Sequence, residues 1–154
     1  QVAFAVALGS VPDILLLDEP LANLDPLVRH EVMAELLTEA ADTGMSLLLS
    51  THVVAELGGV ADKLLILSRG NLLLDDEVDE LATRFYIYVG PRSELPPMGT
   101  VVRAKHSEQQ SWFLVSVVEG DEEREYEGDW TVEPASVEDI VLGHLANARD
   151  GARV

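Results

Sequence analysis

Residues 14–20 read ILLLDEP, and this run constrains the fold more than any other stretch of the chain. Four consecutive aliphatic residues without a polar partner are typical of a strand buried on both faces, as in a parallel sheet. Asp18 and Glu19 follow where the strand must leave the core, at the edge where open parallel sheets bind their ligands. Pro20 predicts an extended backbone at Glu19, because proline disfavours the helical region for the preceding residue.

This run alone leaves two interpretations open. In the first, one carboxylate holds a hard cation such as Mg²⁺ and its neighbour polarises a water molecule. In the second, a buried strand simply ends in two solvated acids. The residues that follow favour the first interpretation.

A helix and a second strand come next in the chain. Asp25 and Pro26 predict a helix start, since Asp is a strong N-cap and proline suits the first helical position. Apolar residues spaced by three and four predict one buried helix face, and Gly44 predicts the helix end. A short aliphatic run at residues 45–49 then predicts a second strand.

Strand, helix and strand together form a βαβ unit with parallel strands. Parallel strands share one carboxyl edge, and the residues STH at positions 50–52 follow the second strand. We therefore expect Asp18, Glu19 and His52 at the same edge of the sheet.

The order and spacing of these motifs resemble those of the ABC-type ATPases. Residues 14–20 match the Walker B motif of that family, and residues 22–26 (ANLDP) resemble its D-loop, with Asn23 where small residues are more usual. Thr51 and His52, after an aliphatic strand, resemble the switch-histidine loop.

The resemblance extends over about residues 1–83. Residues 2–8 are similar to the helix that follows the family's signature sequence, although Val6 stands where an Arg is common. Residues 134–140 (PASVEDI) are similar to a tail segment of drug-export-type subunits.

The resemblance implies a role for each residue at the predicted edge. Asp18 would hold Mg²⁺, mostly through water, and Glu19 would be the general base toward the hydrolytic water. His52 would contact the γ-phosphate of ATP, where a ring N–H donates to developing negative charge. Asp25 would lie at the interface between two nucleotide-binding subunits, although its role as a helix cap is sufficient. The other histidines, His30, His106 and His144, are expected to be surface residues.

Two phosphate-binding elements of the family are not found in the sequence. A P-loop needs Gly-Lys-Ser/Thr, and the lysines, Lys63 and Lys105, follow Asp and Ala. The run LGG at 57–59 lies after His52, whereas the family's signature precedes Walker B, so a helix end is the better interpretation. The chain is expected to be the C-terminal portion of a nucleotide-binding subunit and to be inactive alone.

The predicted fold class is α/β: the C-terminal half of a P-loop-type parallel-sheet domain, followed by a small β-rich region and a C-terminal helix. We predict three segments. Residues 1–85 form the ATPase half, which includes a hairpin around Gly70 and a helix at 77–85. Residues 86–99, rich in Pro and Gly, form a linker, and residues 100–154 form the β-rich region.

Charge and composition limit the partners. Lys+Arg 10 against Asp+Glu 28 gives a formal net charge of −18, which opposes binding to nucleic acid. The absence of Cys suits a reducing compartment. The resemblance implies a cytoplasmic homodimer of ATPase subunits, held on the inner face of the membrane by a permease.

Two alternatives remain open at this stage. The first is a soluble ABC-type ATPase that acts on DNA or the ribosome. The second is a non-catalytic module that only packs or regulates. The resemblance implies that the permease, and not this subunit, selects the transported substrate.

Overall fold

The computed structural model describes residues 9, 12–54 and 59–150, and the chain divides into two compact units between Val53 and Val54. The helix predicted for residues 2–8 and part of the run LGG at 57–59 lie outside the described residues. Within the described part of the chain, no helix is both long enough and apolar enough to cross a bilayer.

The first unit is a βαβ unit. Strand β1 (Ile14–Asp18) is followed by helix α1 (Pro26–Thr43) and strand β2 (Ser46–Ser50). The two strands pair in parallel, from Ile14 opposite Ser46 to Asp18 opposite Ser50. The predicted strand–helix–strand order and the parallel pairing are confirmed.

Helix α1 begins and ends where its capping residues predict. The Asp25 carboxylate accepts hydrogen bonds from the N–H groups of Leu27 (3.1 Å) and Val28 (3.2 Å), with Pro26 in the first turn. Gly44 ends the helix in the left-handed conformation, with φ +71°. This φ is accessible to glycine without the steric cost that a Cβ would add.

Helix α1 covers one face of the parallel pair. The core of this unit consists of Leu15, Leu36 and Met45, with Leu17, Val32, Ala40 and Leu47 packed against it. On the opposite face, Leu16 is 69% exposed and Leu48 is 52% exposed. The expectation of a strand buried on both faces is therefore wrong for the described residues, because α1 packs on only one side.

The second unit begins with the predicted hairpin. Strands β3 (Lys63–Ser68) and β4 (Asn71–Glu77) pair antiparallel around Arg69 and Gly70, both with positive φ. A two-residue turn in which both residues have positive φ has a backbone twist that matches the right-handed twist of the paired strands. Helix α2 (Val78–Arg84) follows, where a helix was predicted at 77–85, and its Leu81 is fully buried.

A four-stranded antiparallel sheet and a helix complete the second unit. The strands are β5 (Phe85–Pro91), β6 (Thr100–His106), β7 (Gln110–Ser116) and β8 (Thr131–Pro134), in the spatial order β6-β7-β5-β8. Helix α3 (Val137–Asp150) begins with a capping box: Asp139 N–H donates to Ser136 Oγ (3.1 Å) and Ser136 N–H to Asp139 Oδ2 (3.2 Å).

Each face of this sheet contributes to a separate core. The first core joins the hairpin, α2, α3 and one sheet face, and its buried members are Leu64, Ile66, Leu74, Leu81, Phe85, Ile87, Leu114, Ala135, Ile140 and Val141. The second core lies on the other face and contains Tyr88, Phe113 and Val115, with Trp130 among the residues packed against it.

The predicted segment boundaries differ from this arrangement. Residues 86–91, predicted as the start of a linker, belong to β5, which pairs with both β7 and β8. The hairpin and α2, predicted to belong to the ATPase half, share a core with α3. Burial of their leucines against the C-terminal helix outweighs the Pro- and Gly-rich composition that suggested a break near residue 85.

Gly90 gives a stability prediction, because the ring of Trp130 lies directly against it. A Cβ at position 90 would lie 2.3 Å from Trp130 Cδ2, far inside van der Waals contact. We expect Gly90→Ala to lower the free energy of unfolding by about 1–3 kcal/mol, the usual cost of overpacking. Urea denaturation of the chain measures this change.

Trp130→Ala provides the matched background for that measurement, since it removes the ring that the new methyl group would meet. Gly90→Ala should cost clearly less in the Trp130→Ala chain than in the parent. Equal costs in the two backgrounds would show that the ring is not the obstacle.

Candidate functional site

Glu19 and His52 lie in direct contact although 33 residues separate them in the chain. His52 Nδ1 lies 2.8 Å from Glu19 Oε1 and 2.9 Å from Glu19 Oε2, so the ring N–H donates to the carboxylate. Glu19 directly follows the end of β1, and His52 lies two residues beyond the end of β2, its parallel partner. The predicted proximity at the carboxyl edge is confirmed, and the catalytic roles stay predictions.

A second contact joins the same two strand ends. Ser50, the last residue of β2, donates its hydroxyl proton to Asp18 Oδ1 (2.6 Å) and accepts the Glu19 N–H (2.9 Å). Ser50 was not among the residues that sequence reasoning selected. The signal for it was present, because the predicted parallel pairing places the end of the second strand opposite Asp18.

The backbone of Glu19 contradicts the extended conformation predicted from Pro20. Glu19 has φ +46°, in the left-handed region. Its carbonyl accepts the Ala22 N–H (3.1 Å), so residues 19–22 form a tight turn with Pro20 at its second position. A residue with a Cβ held in this region costs about 1–3 kcal/mol, and such strain persists only where surrounding contacts impose it.

Asp25 has a structural role in the described residues. Its carboxylate caps α1 through the two backbone hydrogen bonds described above. The turn before it contains Asn23 with φ +64°, a conformation that Asn tolerates better than most residues. The structure thus explains both Asp25 and the unusual Asn23 by backbone geometry, and the interface role of Asp25 stays a prediction.

The carboxylates fit a cation that arrives with a nucleotide better than a resident metal. Among the described residues, no group of three or more His, Asp or Glu side chains could enclose a metal ion. Mg²⁺ typically uses one or two carboxylates together with waters and substrate phosphates. Asp18 is exposed, and a carboxylate that accepts one hydrogen bond retains further lone pairs for a metal-bound water.

The paired side chains are open to solvent, which is relevant to their contribution to folding. The His52 side chain is 75% exposed and that of Glu19 is 38% exposed. Exposed ion pairs contribute only about 0–1 kcal/mol to stability. Substitution of either residue is therefore expected to leave the fold intact, so that effects on chemistry can be measured.

The remaining histidines only partly match the expectation of surface residues. His30 is exposed on α1. His106 is also exposed, yet its Nδ1 lies 2.9 Å from the buried Ser111 Oγ. His144 is half-buried: its Nδ1–H donates to the Ile140 carbonyl (2.7 Å) and its ring packs edge-on against Phe85. These contacts are structural.

No known protein-family profile matches the chain. Individual sequences do match it. The aliphatic sulfonates import ATP-binding protein SsuB of Shigella flexneri serotype 5b is 38% identical over 110 residues, which are 71% of this chain and 43% of that protein. The energy-coupling factor transporter ATP-binding protein EcfA2 of Clostridium perfringens is 30% identical over 81 residues, 53% of this chain and 28% of that protein. An uncharacterised ABC transporter ATP-binding protein of Synechocystis is 30% identical over 114 residues, 73% of this chain and 32% of that protein.

The fold and these relatives together define the class. A parallel βαβ unit with acidic residues at its carboxyl edge, related in sequence to ATP-binding proteins, indicates the α/β fold of the P-loop nucleotide hydrolases. Within that class, the chain is homologous to the ATP-binding subunits of ABC transporters, which supports the resemblance found in its motifs. The chain spans less than half the length of each of these relatives.

Proposed function

We propose that the chain is part of the ATP-hydrolysing subunit of an ABC transporter. The observation that carries this proposal is the contact between Glu19 and His52 beside the linked pair Asp18 and Ser50, at the ends of two parallel strands. In this proposal, the first unit supplies the Walker B, D-loop and switch-histidine elements. The β-rich remainder is an accessory region of the same subunit.

The proposed chemistry follows from the two side chains in contact. Glu19 acts as the general base, because its carboxylate can accept a proton from the attacking water. When His52 donates through Nδ1 to Glu19, a protonated ring still has an N–H at Nε2 to donate to a γ-phosphate oxygen. Asp18 would hold Mg²⁺, mostly through water, and the ion would supply positive charge beside the phosphates.

The proposed partners follow from the relatives and from the charge. ATP is the substrate, and the relatives' names describe import and energy-coupling transporters, which supports a membrane permease as the partner. We propose a homodimer of ATPase subunits on the cytoplasmic face of the membrane. The net charge of −18 disfavours nucleic acid as a partner.

Asp18→Asn tests this function through the Mg²⁺ requirement. Asn keeps the shape and an oxygen that can accept the Ser50 hydroxyl, but it removes the charge that attracts the cation. In the complete subunit, with the phosphate-binding half present, we expect the Mg²⁺ concentration for half-maximal ATP hydrolysis to rise by about 10- to 100-fold, the range for residues that orient metal-bound groups.

Asp13→Asn is the matched control, because Asp13 is an exposed aspartate at the opposite end of β1. This variant should retain the parent's Mg²⁺ dependence. A complete subunit without any Mg²⁺-dependent ATP hydrolysis would contradict the proposal and favour a non-catalytic module. ATP hydrolysis that DNA or ribosomes stimulate, and a permease does not, would favour a soluble ATPase.

A further inference from the structure

Ser50 meets both acidic residues at the strand end through its side-chain hydroxyl. The parallel pairing of β1 and β2 ends with Asp18 opposite Ser50. Side chains opposite each other in a ladder project from the same face of the sheet. The short serine hydroxyl therefore reaches Asp18 Oδ1 at 2.6 Å.

The hydroxyl also receives the backbone of the next residue. Glu19 directly follows Asp18, the last residue of β1 in the β1–β2 ladder. That N–H donates to Ser50 Oγ at 2.9 Å. The Ser50 side chain thus bonds the backbone directly after the last paired residue of β1.

The two hydrogen bonds of Ser50 run in one direction. The Glu19 N–H donates to Oγ, and the Oγ–H donates to the Asp18 carboxylate. Hydrogen bonds arranged in such a chain polarise one another, and a bond that ends on a carboxylate is stronger than a neutral one. The charge on Asp18 therefore strengthens the bond that holds Glu19.

Each polar group of Glu19 has a partner in this arrangement. Its N–H bonds to Ser50, its carbonyl accepts the Ala22 N–H at 3.1 Å, and its carboxylate contacts His52. The bond to Ser50 joins the backbone of Glu19 to the other strand. This bond therefore helps to hold Glu19 in the left-handed conformation, φ +46°, beside the strand that precedes His52.

We propose that Ser50 is a positioning residue: its hydroxyl orients the Asp18 carboxylate and holds the Glu19 backbone in the conformation that directs the Glu19 side chain toward His52. The consequence for hydrolysis rests on the function proposed above, whereas the consequence for Glu19 geometry does not. Ser50 itself touches neither nucleotide nor metal in this proposal. Its effect on turnover passes through Glu19 and Asp18.

The geometric half of the inference is tested on the 154-residue chain without nucleotide. In Ser50→Ala, we expect the Glu19 amide proton to shift toward the position of a non-bonded amide in NMR spectra. Its hydrogen exchange should accelerate by about 2- to 10-fold, the range that corresponds to one net hydrogen bond. Ser50→Thr, which keeps the hydroxyl, should restore both values.

Ser46→Ala is the matched control, because Ser46 is the exposed serine at the start of the same strand. It should leave the Glu19 amide unchanged. If Ser50→Ala does not fold, Ser50→Cys replaces it, since a thiol keeps the shape but hydrogen-bonds weakly. A Glu19 amide that does not respond to loss of the hydroxyl would overturn the inference.

The catalytic half is tested in the complete subunit. We expect Ser50→Ala to lower kcat by about 10-fold. This is the low end of the loss seen when a residue that hydrogen-bonds to a metal ligand is replaced. KM for ATP should change less than twofold, and Ser50→Thr should recover kcat. A normal kcat for Ser50→Ala, together with a large loss for Glu19→Gln, would reject the positioning role and leave the proposed function standing. A normal kcat for Glu19→Gln would instead reject the proposed function.

Discussion

Glu19→Gln in the complete subunit should slow ATP hydrolysis by about 10²–10⁴-fold, the usual range for loss of a general base. Gln keeps the size of the side chain, and its amide oxygen can still accept the His52 N–H, so the strand-end geometry should persist. The substitution removes one negative charge close to where the phosphates would lie. ATP affinity should therefore hold or increase while the chemical step fails.

The measurement compares nucleotide affinity with single-turnover hydrolysis of bound ATP. Glu35→Gln, an identical chemical change at an exposed position of α1, is the matched control and should leave both values at the parent level. If Glu19→Gln lost ATP binding while its bound ATP still reacted at the normal rate, the base would have to be another group. Because the Glu19 side chain is partly exposed, a change in stability is not expected to obscure the result.

Local patterns predicted the βαβ unit because each of its determinants lies close in sequence. Asp25 and Pro26 begin α1, Gly44 ends it, and the aliphatic runs before and after it form the strands. The predicted hairpin and the capping box of α3 depend on equally local chemistry. Neighbouring residues decide such features, and a single sequence displays them.

Features that depend on distant contacts were missed. Pro20 disfavours the helical region at Glu19 locally, yet bonds from Ser50 and Ala22 hold Glu19 in the left-handed region. Composition around Gly90 suggested a linker, whereas the absence of a side chain there makes room for the Trp130 ring, 40 residues later in the chain. In both places a tertiary contact outweighs the preference of the local sequence.

The candidate site also combines features that the local sequence predicts with features that depend on distant contacts. Residue types and strand order were sufficient to select Asp18, Glu19 and His52 and to place them at one edge. The hydrogen bonds among these residues depend on the strand register. The pairing of Asp18 with Ser50 brings the serine hydroxyl to the Asp18 carboxylate, which explains the serine before Thr51 and His52. Register is set by the whole paired strand and cannot be read from one position.

His52→Ala should reduce the rate of ATP hydrolysis by about 10²–10³-fold, the cost of removing one preorganised donor to developing negative charge. His52 lies two residues beyond the end of β2, its side chain is 75% exposed, and its Nδ1 contacts the Glu19 carboxylate. Its loss should leave ATP affinity within a few-fold of the parent, since the adenine ring and the P-loop contacts of ATP are expected to involve other residues. His30→Ala, at an exposed position of α1, is the matched control.

The direct contact between His52 and Glu19 adds a sharper test, because residues that act as a unit are not additive. If both serve the same step, the double variant Glu19→Gln/His52→Ala should be little slower than Glu19→Gln alone. Single-turnover rates of the four proteins in this cycle, at saturating Mg²⁺ and ATP, measure the coupling. Fully multiplicative losses would mean that the two side chains act independently, and the 2.8 Å contact between them would then have no part in the chemistry.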